Sequence, residues 1–340
     1  MKNICICGGG NLGHVVTGFL AAQENLKISL LTRRPDKWKG QLCIHTPEGT
    51  DLNGTIHRVS SSPEEVVSHA DIVLLCLPGF SIPPVLQQIK EFLAPGTAVG
   101  SIVSSTGFFF EAIKQLSCST PLFGFRRVPF IARTTRYGEE ANLLGYKKEL
   151  QVAIEQTDKK EELRKELQEI FRTPILLLNH YLEASLSNSN PLLHPSRLYS
   201  LWKDWHKGIV YKRNALFYEE WTDEASQLYI DMDKELQALL HVLPVTPGCI
   251  PTVLQYYESS DAESLTRKLR SIKAFQNIKV PVRQVNGGWE PDFESRYFTE
   301  DFPYGLHLIQ KLAHENGIPT PTMDTVYEWG HSNLQAHHHE

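Results

Sequence analysis

Residues Lys2-Asn3-Ile4-Cys5-Ile6-Cys7 alternate in a strand-like apolar run that passes directly into Gly8-Gly9-Gly10-Asn11-Leu12-Gly13. The second stretch satisfies G-x-G-x-x-G, and its setting carries more information than its letters. It follows a strand and opens a helical stretch, Gly13–Gln23, with small and apolar residues on one face, and a second strand follows at Lys27–Leu31. That is the start of a βαβ unit. Each glycine has a physical reason in such a turn: Gly8 for its tightness, Gly10 for backbone approach to a pyrophosphate, Gly13 for close packing of helix on strand. Asn11 and Leu12 fall in the first turn of the helix, whose unpaired N–H groups and partial positive charge suit phosphate. A purely structural glycine turn is the plain alternative, and the setting favours a dinucleotide.

Working outward, the second strand ends in Thr32-Arg33-Arg34 with no carboxylate before Asp36. An NAD site usually places Asp or Glu there to hold the ribose hydroxyls. Two guanidinium groups instead suit a 2′-phosphate, so NADP is expected, with NADPH preferred over NADH; a solvated arginine pair is the alternative. Further strands are expected at Asp71–Leu77, Ala98–Val103, Leu150–Ile154 and Ile175–Leu178, and helices near 62–68, 83–92 and 158–171. Strands separated by helices imply a doubly wound α/β sheet. Leu77-Pro78-Gly79 and Ser104-Ser105-Thr106-Gly107 would then sit at its carboxyl edge, where open sheets bind ligands, or form simple turns.

Composition agrees with a soluble globular chain. Of 340 residues, 41% are apolar and 21% charged, and 34 basic against 39 acidic side chains give a net charge of −5. At about 150 residues per domain, two domains are expected. No basic block points to nucleic acid and no apolar run is long enough for a membrane. The N-terminus reads as the start of a fold and not as a signal peptide. The six cysteines are scattered without metal-ligand spacing, which predicts buried free thiols in a cytoplasmic protein and no metal site. The terminal Ala336-His337-His338-His339-Glu340 carries no catalytic weight.

After Asn179 the strand-like runs disappear, and helical patterns broken by proline and glycine take over. A boundary near residue 180 divides the chain into 1–180 and 181–340. Within the second part, Asn190-Pro191-Leu192-Leu193-His194-Pro195 holds a histidine between two prolines on a stiffened backbone. Arg296-Tyr297-Phe298-Thr299-Glu300-Asp301-Phe302-Pro303-Tyr304-Gly305 gathers a guanidinium, carboxylates and aromatics before a helix. Asp301 either caps that helix or orients a histidine. Arg296 suits a bidentate grip on a carboxylate.

Taken in order, these segments resemble the octopine/nopaline (opine) dehydrogenase family, whose broader fold is similar to that of ketopantoate reductase. The resemblance covers nearly the whole chain. It runs from the glycine turn through Leu77-Pro78-Gly79, Arg127-Val128-Pro129-Phe130-Ile131-Ala132-Arg133 with Tyr137-Gly138, and Asn190 to Pro195. It ends with Arg296-Tyr297, Glu300 to Gly305, and Gly317-Ile318-Pro319-Thr320-Pro321. It implies a Rossmann domain followed by an all-helical domain, and an oxidoreductase that joins a 2-oxo acid to an amino acid by reducing the imine between them with NAD(P)H. By the same resemblance His194 matches the catalytic histidine, Asp301 its carboxylate partner and Arg296 the substrate-carboxylate contact. The expected partners are those two small molecules, and a homodimer is allowed. The alternatives are an NADP-dependent 2-oxo acid reductase or a non-catalytic nucleotide-binding regulator. Ketopantoate reductases use a lysine at the start of the helical domain, and Tyr181–Asn188 contains none. A regulator would have lost the His194, Arg296 and Asp301 set.

Overall fold

The computed structural model describes residues 1–105 and 107–338 and separates into two compact units, Met1–Ser187 and Asn188–Glu340. Thr106, His339 and Glu340 lie outside the described residues. In chain order the strands are β1 (Lys2–Cys7), β2 (Leu26–Leu31), β3 (Gln41–His45), β4 (Asp51–Thr55), β5 (Arg58–Ser60), β6 (Ile72–Leu75) and β7 (Ala98–Ser101). They continue with β8 (Leu122–Phe125), β9 (Phe130–Arg136), β10 (Glu140–Tyr146), β11 (Leu150–Glu155) and β12 (Ile175–Leu177). The first unit's helices are α1 (Asn11–Ala21), α2 (Pro63–Val67), α3 (Ile82–Ile89), α4 (Phe108–Gln115), α5 (Lys160–Phe171) and α6 (Tyr181–Ser185).

Eight strands form the main sheet in the order β12-β11-β8-β7-β6-β1-β2-β5. From β5 to β8 every pairing is parallel, whereas β11 runs antiparallel to β8. The expected α/β unit is therefore present with a mixed sheet. The central strands carry unbroken apolar runs because both faces are covered; all four residues of β6 are buried. The chain goes from β1 out to β2 and returns on the other side of β1 at β6, so Gly8 and Leu77 follow the two strands that flank the switch in strand order, where such sheets bind ligands.

A second sheet, β4-β3-β10-β9, was not apparent from the sequence. It packs on α1: a side chain on Gly18 would collide with Ile44, and one on Gly54 would meet Ala21 at 2.7 Å. Residues 13–20 of α1 are all buried for that reason, where one apolar face had been expected. A helix apolar all round has to be covered all round.

The second unit is built from α7 (Asn190–Trp202), α8 (Asp223–Val242), α9 (Val253–Tyr256), α10 (Ala262–Ser271), α11 (Arg296–Thr299), α12 (His307–Glu315) and α13 (Pro321–His338). It is helical but not entirely so, since a hairpin, β13 (Val282–Val285) and β14 (Gly288–Pro291), interrupts it. All six cysteines are free. Cys5, Cys7 and Cys76 are buried as expected, whereas Cys43 and Cys249 are half-buried and Cys118 is exposed. No described helix is long and apolar enough to cross a membrane.

Candidate active site

In the first unit, the glycines of the turn differ in why they are there. Gly8 has a φ of +121°, and a Cβ on it would lie 2.5 Å from the Cys76 carbonyl oxygen; one on Gly13 would collide with the carbonyl of Gly8. Packing within the protein demands both. A Cβ on Gly10 would meet nothing within 4 Å, so the protein's own packing gives no reason for that glycine. Helix α1 begins just after it with no side-chain cap among the described residues, which leaves its first N–H groups for a ligand or water. Asn11 Oδ1 accepts the N–H of Thr134 at 2.9 Å, and Leu12 packs against the core. Beyond β2, Thr32 is buried, Arg33 is exposed, and the Arg34 guanidinium lies 4.4 Å over the ring of Tyr137. Leu77 packs beside Gly8, Pro78 is extended, and buried Gly79 opens a short 3-10 turn. The Ser104 hydroxyl donates to the Phe125 carbonyl at 2.9 Å and is occupied within the fold.

Sequence reading missed the residue that ties this end together. His14 is fully buried, stacked on Trp38 at 4.3 Å with Tyr137 edge-on at 4.8 Å. Its Nε2 accepts the Gly138 N–H at 2.8 Å, and its Nδ1 lies 2.9 Å from the Gly10 carbonyl oxygen. An acceptor nitrogen carries no proton, so the hydrogen sits on Nδ1 and the ring is neutral. Burial lowers its pKa in the same sense. Tyr137 Oη stands 2.7 Å from where a Gly9 Cβ would be. The sequence signal was a histidine on a helix with no polar face.

In the second unit, α7 carries His194. Pro191 and Pro195 do not break the helix: Pro191 sits in its first turn, where a missing N–H is harmless, and Pro195 leaves the Pro191 carbonyl without its helical donor. His194 Nδ1 is 2.7 Å from Asp301 Oδ2, with the two side chains 12% and 16% exposed. Asp301 makes no side-chain cap. It stands instead at the mouth of a π-helical turn, Phe302–Leu306, where the Leu306 N–H bonds back to the Asp301 carbonyl at 2.7 Å. Such turns insert an extra residue and re-aim side chains.

The other ring nitrogen, Nε2, lies 3.0 Å from the hydroxyl of Tyr218, a residue that no motif in the sequence singles out. Tyr218 is placed by α7 itself. Buried Arg197, one turn beyond His194, donates from Nε to the Phe217 carbonyl at 3.0 Å and from Nη2 to the Glu220 carbonyl at 2.6 Å. Burial raises the Tyr218 pKa far out of the neutral range and keeps the phenol protonated. Tyr297 and Phe217 close the ring's sides at 4.7 and 5.6 Å. The carboxylate thus holds the Nδ1 proton and leaves Nε2 as the nitrogen able to exchange one. Arg296 is not part of this cluster. Its side chain is 80% exposed and grips Glu300 through Nε and Nη2 at 2.9 and 3.0 Å.

Residues 177–334 match the family model described as NAD/NADP octopine/nopaline dehydrogenase, alpha-helical domain. Over those residues the chain is similar to the octopine/nopaline dehydrogenases. Residues 4–107 match the model for ketopantoate reductase (PanE/ApbA). Opine dehydrogenase of Haliotis discus hannai is 26% identical, covering 97% of this chain and 90% of that protein. A solved octopine dehydrogenase with NADH and L-arginine superposes with a TM-score of 0.87 at 23% identity, covering 98% of this chain and 90% of the other. A yersinopine dehydrogenase with NADP+ bound superposes at 0.72 with 15% identity, covering 99% and 91%. This opine-dehydrogenase relative is a nicotinamide-dependent oxidoreductase.

Proposed function

We propose that the chain reductively joins a 2-oxo acid to an amino acid, with NADPH as the reductant and His194 as the group that manages the proton. The observation that carries this reading is the His194–Asp301 pair, 2.7 Å apart and largely enclosed. Reducing an imine adds a hydride to carbon and a proton to nitrogen, so the chemistry needs a donor that also survives neutral pH in both protonation states. Histidine is that side chain. Asp301 fixes the tautomer so that Nε2 does the exchange, and Tyr218 holds the ring at its working angle. Arg296 is proposed as the contact for a substrate carboxylate, with Glu300 keeping its planar fork extended until substrate competes for it.

The first unit has what a dinucleotide needs: open space over Gly10, an uncapped helix start and two arginines beyond β2. Gly8, Gly10, Asn11, Leu12 and Gly13 would hold the pyrophosphate, Thr32, Arg33 and Arg34 the adenosine end with its 2′-phosphate, and Leu77, Pro78 and Gly79 the nicotinamide side. When bound, the cofactor supplies the hydride. Arg33 carries the preference for NADPH, because Arg34 is already stacked on Tyr137.

The test is an NADPH-oxidation screen of pyruvate, glyoxylate and 2-oxoglutarate, each with and without amino acids. Turnover that requires both partners is expected, and His194→Ala should lower kcat/KM by about 10²–10⁴-fold while NADPH binding persists. Oxidation with the oxo acid alone would support a plain 2-oxo acid reductase, the reading favoured by the ketopantoate reductase match. Near-normal turnover in His194→Ala would defeat the site assignment.

A further inference from the structure

The small sheet presents one face to α1 and the other outward. Along β3, Leu42 and Ile44 are buried on the α1 side, so Gln41, Cys43 and His45 point the opposite way. In the β3–β4 register His45 faces Asp51 directly, and Cys43 is the next outward position along the strand. One sulfur, one imidazole nitrogen and one carboxylate oxygen thereby come within 4.8 Å of one another. His45 Nδ1 lies 2.7 Å from Asp51 Oδ1.

We propose that Cys43 Sγ, His45 Nδ1 and Asp51 Oδ1 bind a divalent transition-metal ion, with zinc the best match to this ligand set. Thiolate, imidazole and carboxylate together are what zinc takes, at about 2.3, 2.0 and 2.1 Å. Calcium and magnesium would reject the sulfur. In the metal-free protein the His45 Nδ1 proton points at that carboxylate, and a dication takes its place once the thiol has given up its own proton. The thiolate and carboxylate bring two negative charges to match it. Glu140, the register partner of Cys43 on β10, is paired with Arg136, and Glu139 with Lys39, so neither competes as a free anion. Water completes the tetrahedron. The donors must draw in to edges of about 3.5 Å, which follows from side-chain rotation on a fixed strand pair.

Cobalt(II) is the probe, because thiolate ligation gives it a charge-transfer band in the near ultraviolet that imidazoles and carboxylates do not produce. Titrating the reduced full chain should give that band at one cobalt per chain, and zinc should bleach it. Cys43→Ser should abolish the band, and Asp51→Asn should weaken cobalt binding by about tenfold or more. Replacing His337, His338 and His339 together with alanine should leave the band intact, which separates the site from the terminal histidines. No band at millimolar cobalt, or a band that survives Cys43→Ser through Cys118 or Cys249, would overturn the proposal. If Cys43→Ser proves unstable, His45→Ala replaces it: a variant folded by circular dichroism should lose the band, and one that keeps it at full strength overturns the proposal equally.

Discussion

A histidine whose two ring nitrogens both serve the backbone has a fixed charge. His14 accepts from Gly138 and donates to Gly10, so protonation would cost it the Gly138 bond, and burial holds its pKa below the ordinary value. In the unfolded chain the ring takes up a proton near pH 6.5. Between that value and the lower folded one, the unfolded state binds more protons than the native state. Its contribution to stability is therefore complete above about pH 6.5 and drains away as pH falls through that window. Glutamine can donate and accept at similar reach without titrating. Urea unfolding between about pH 5 and 7.5 should show wild type losing stability more steeply than His14→Gln, and parallel curves would refute the lock. At the other unit's centre, Tyr218→Phe keeps the ring stacked on Trp221 and Phe275 and deletes only the hydroxyl. Leaving His194 Nε2 without its donor should cost about 1 kcal/mol in denaturation. It should also lower kcat about tenfold with KM for NADPH unchanged; an unchanged kcat would remove Tyr218 from the machinery.

At the scale of elements, α7 does two jobs with residues one turn apart. His194 supplies the ring proposed to manage the proton, and Arg197 fastens the segment bearing Tyr218 through the Phe217 and Glu220 carbonyls. Burial lowers the Arg197 pKa to about 10, which still leaves it charged at neutral pH. Arg197→Met retains the bulk but strands the buried Phe217 carbonyl and the half-buried Glu220 carbonyl, so about 2–4 kcal/mol of stability should be lost in urea titrations. The π-helical turn after Asp301 is held in a comparable way. Phe302 packs where a side chain on Gly330 of α13 would have to be. Gly330→Ala forces that ring, and with it the Asp301 backbone, to move. A loss of about 1–3 kcal/mol is expected, together with a drop in turnover that Gly317→Ala, strained only in its own backbone at a φ of +70° and facing open space, would not share. Equal kinetics for Gly330→Ala and wild type would show that the π turn does not position Asp301.

Across the whole molecule, what the sequence revealed followed from locality. Six strands of the main sheet were legible as apolar runs and α1 announces itself by its glycines, whereas the short β5 and β8 carry too few residues to show a pattern of their own. The small sheet was not, because β3 and β4 alternate polar and apolar residues like ordinary surface chain, and its centre pairs Cys43 with the distant Glu140. Tyr218 and His14 were invisible for the same reason, each being made functional by partners from other segments. The His194–Asp301 pair spans 107 positions and was reached only through the family resemblance. Cofactor preference is a property of the assembled first unit and is open to a measurement on the intact chain. A ligand that binds only the native state stabilises it by about 2.7 kcal/mol at one hundred times its Kd. A tenfold preference for NADPH adds about 1.4 kcal/mol over NADH at equal saturating concentration, or about 3–6 °C of melting temperature for a unit of this size. The surplus belongs to the 2′-phosphate. It should vanish in Arg33→Ala while the shift produced by NADH stays, since the glycine turn proposed to hold the pyrophosphate is untouched. Equal shifts for the two nucleotides in wild type would mean that Thr32-Arg33-Arg34 reads no phosphate and that Arg34 stacks on Tyr137 for structural reasons alone.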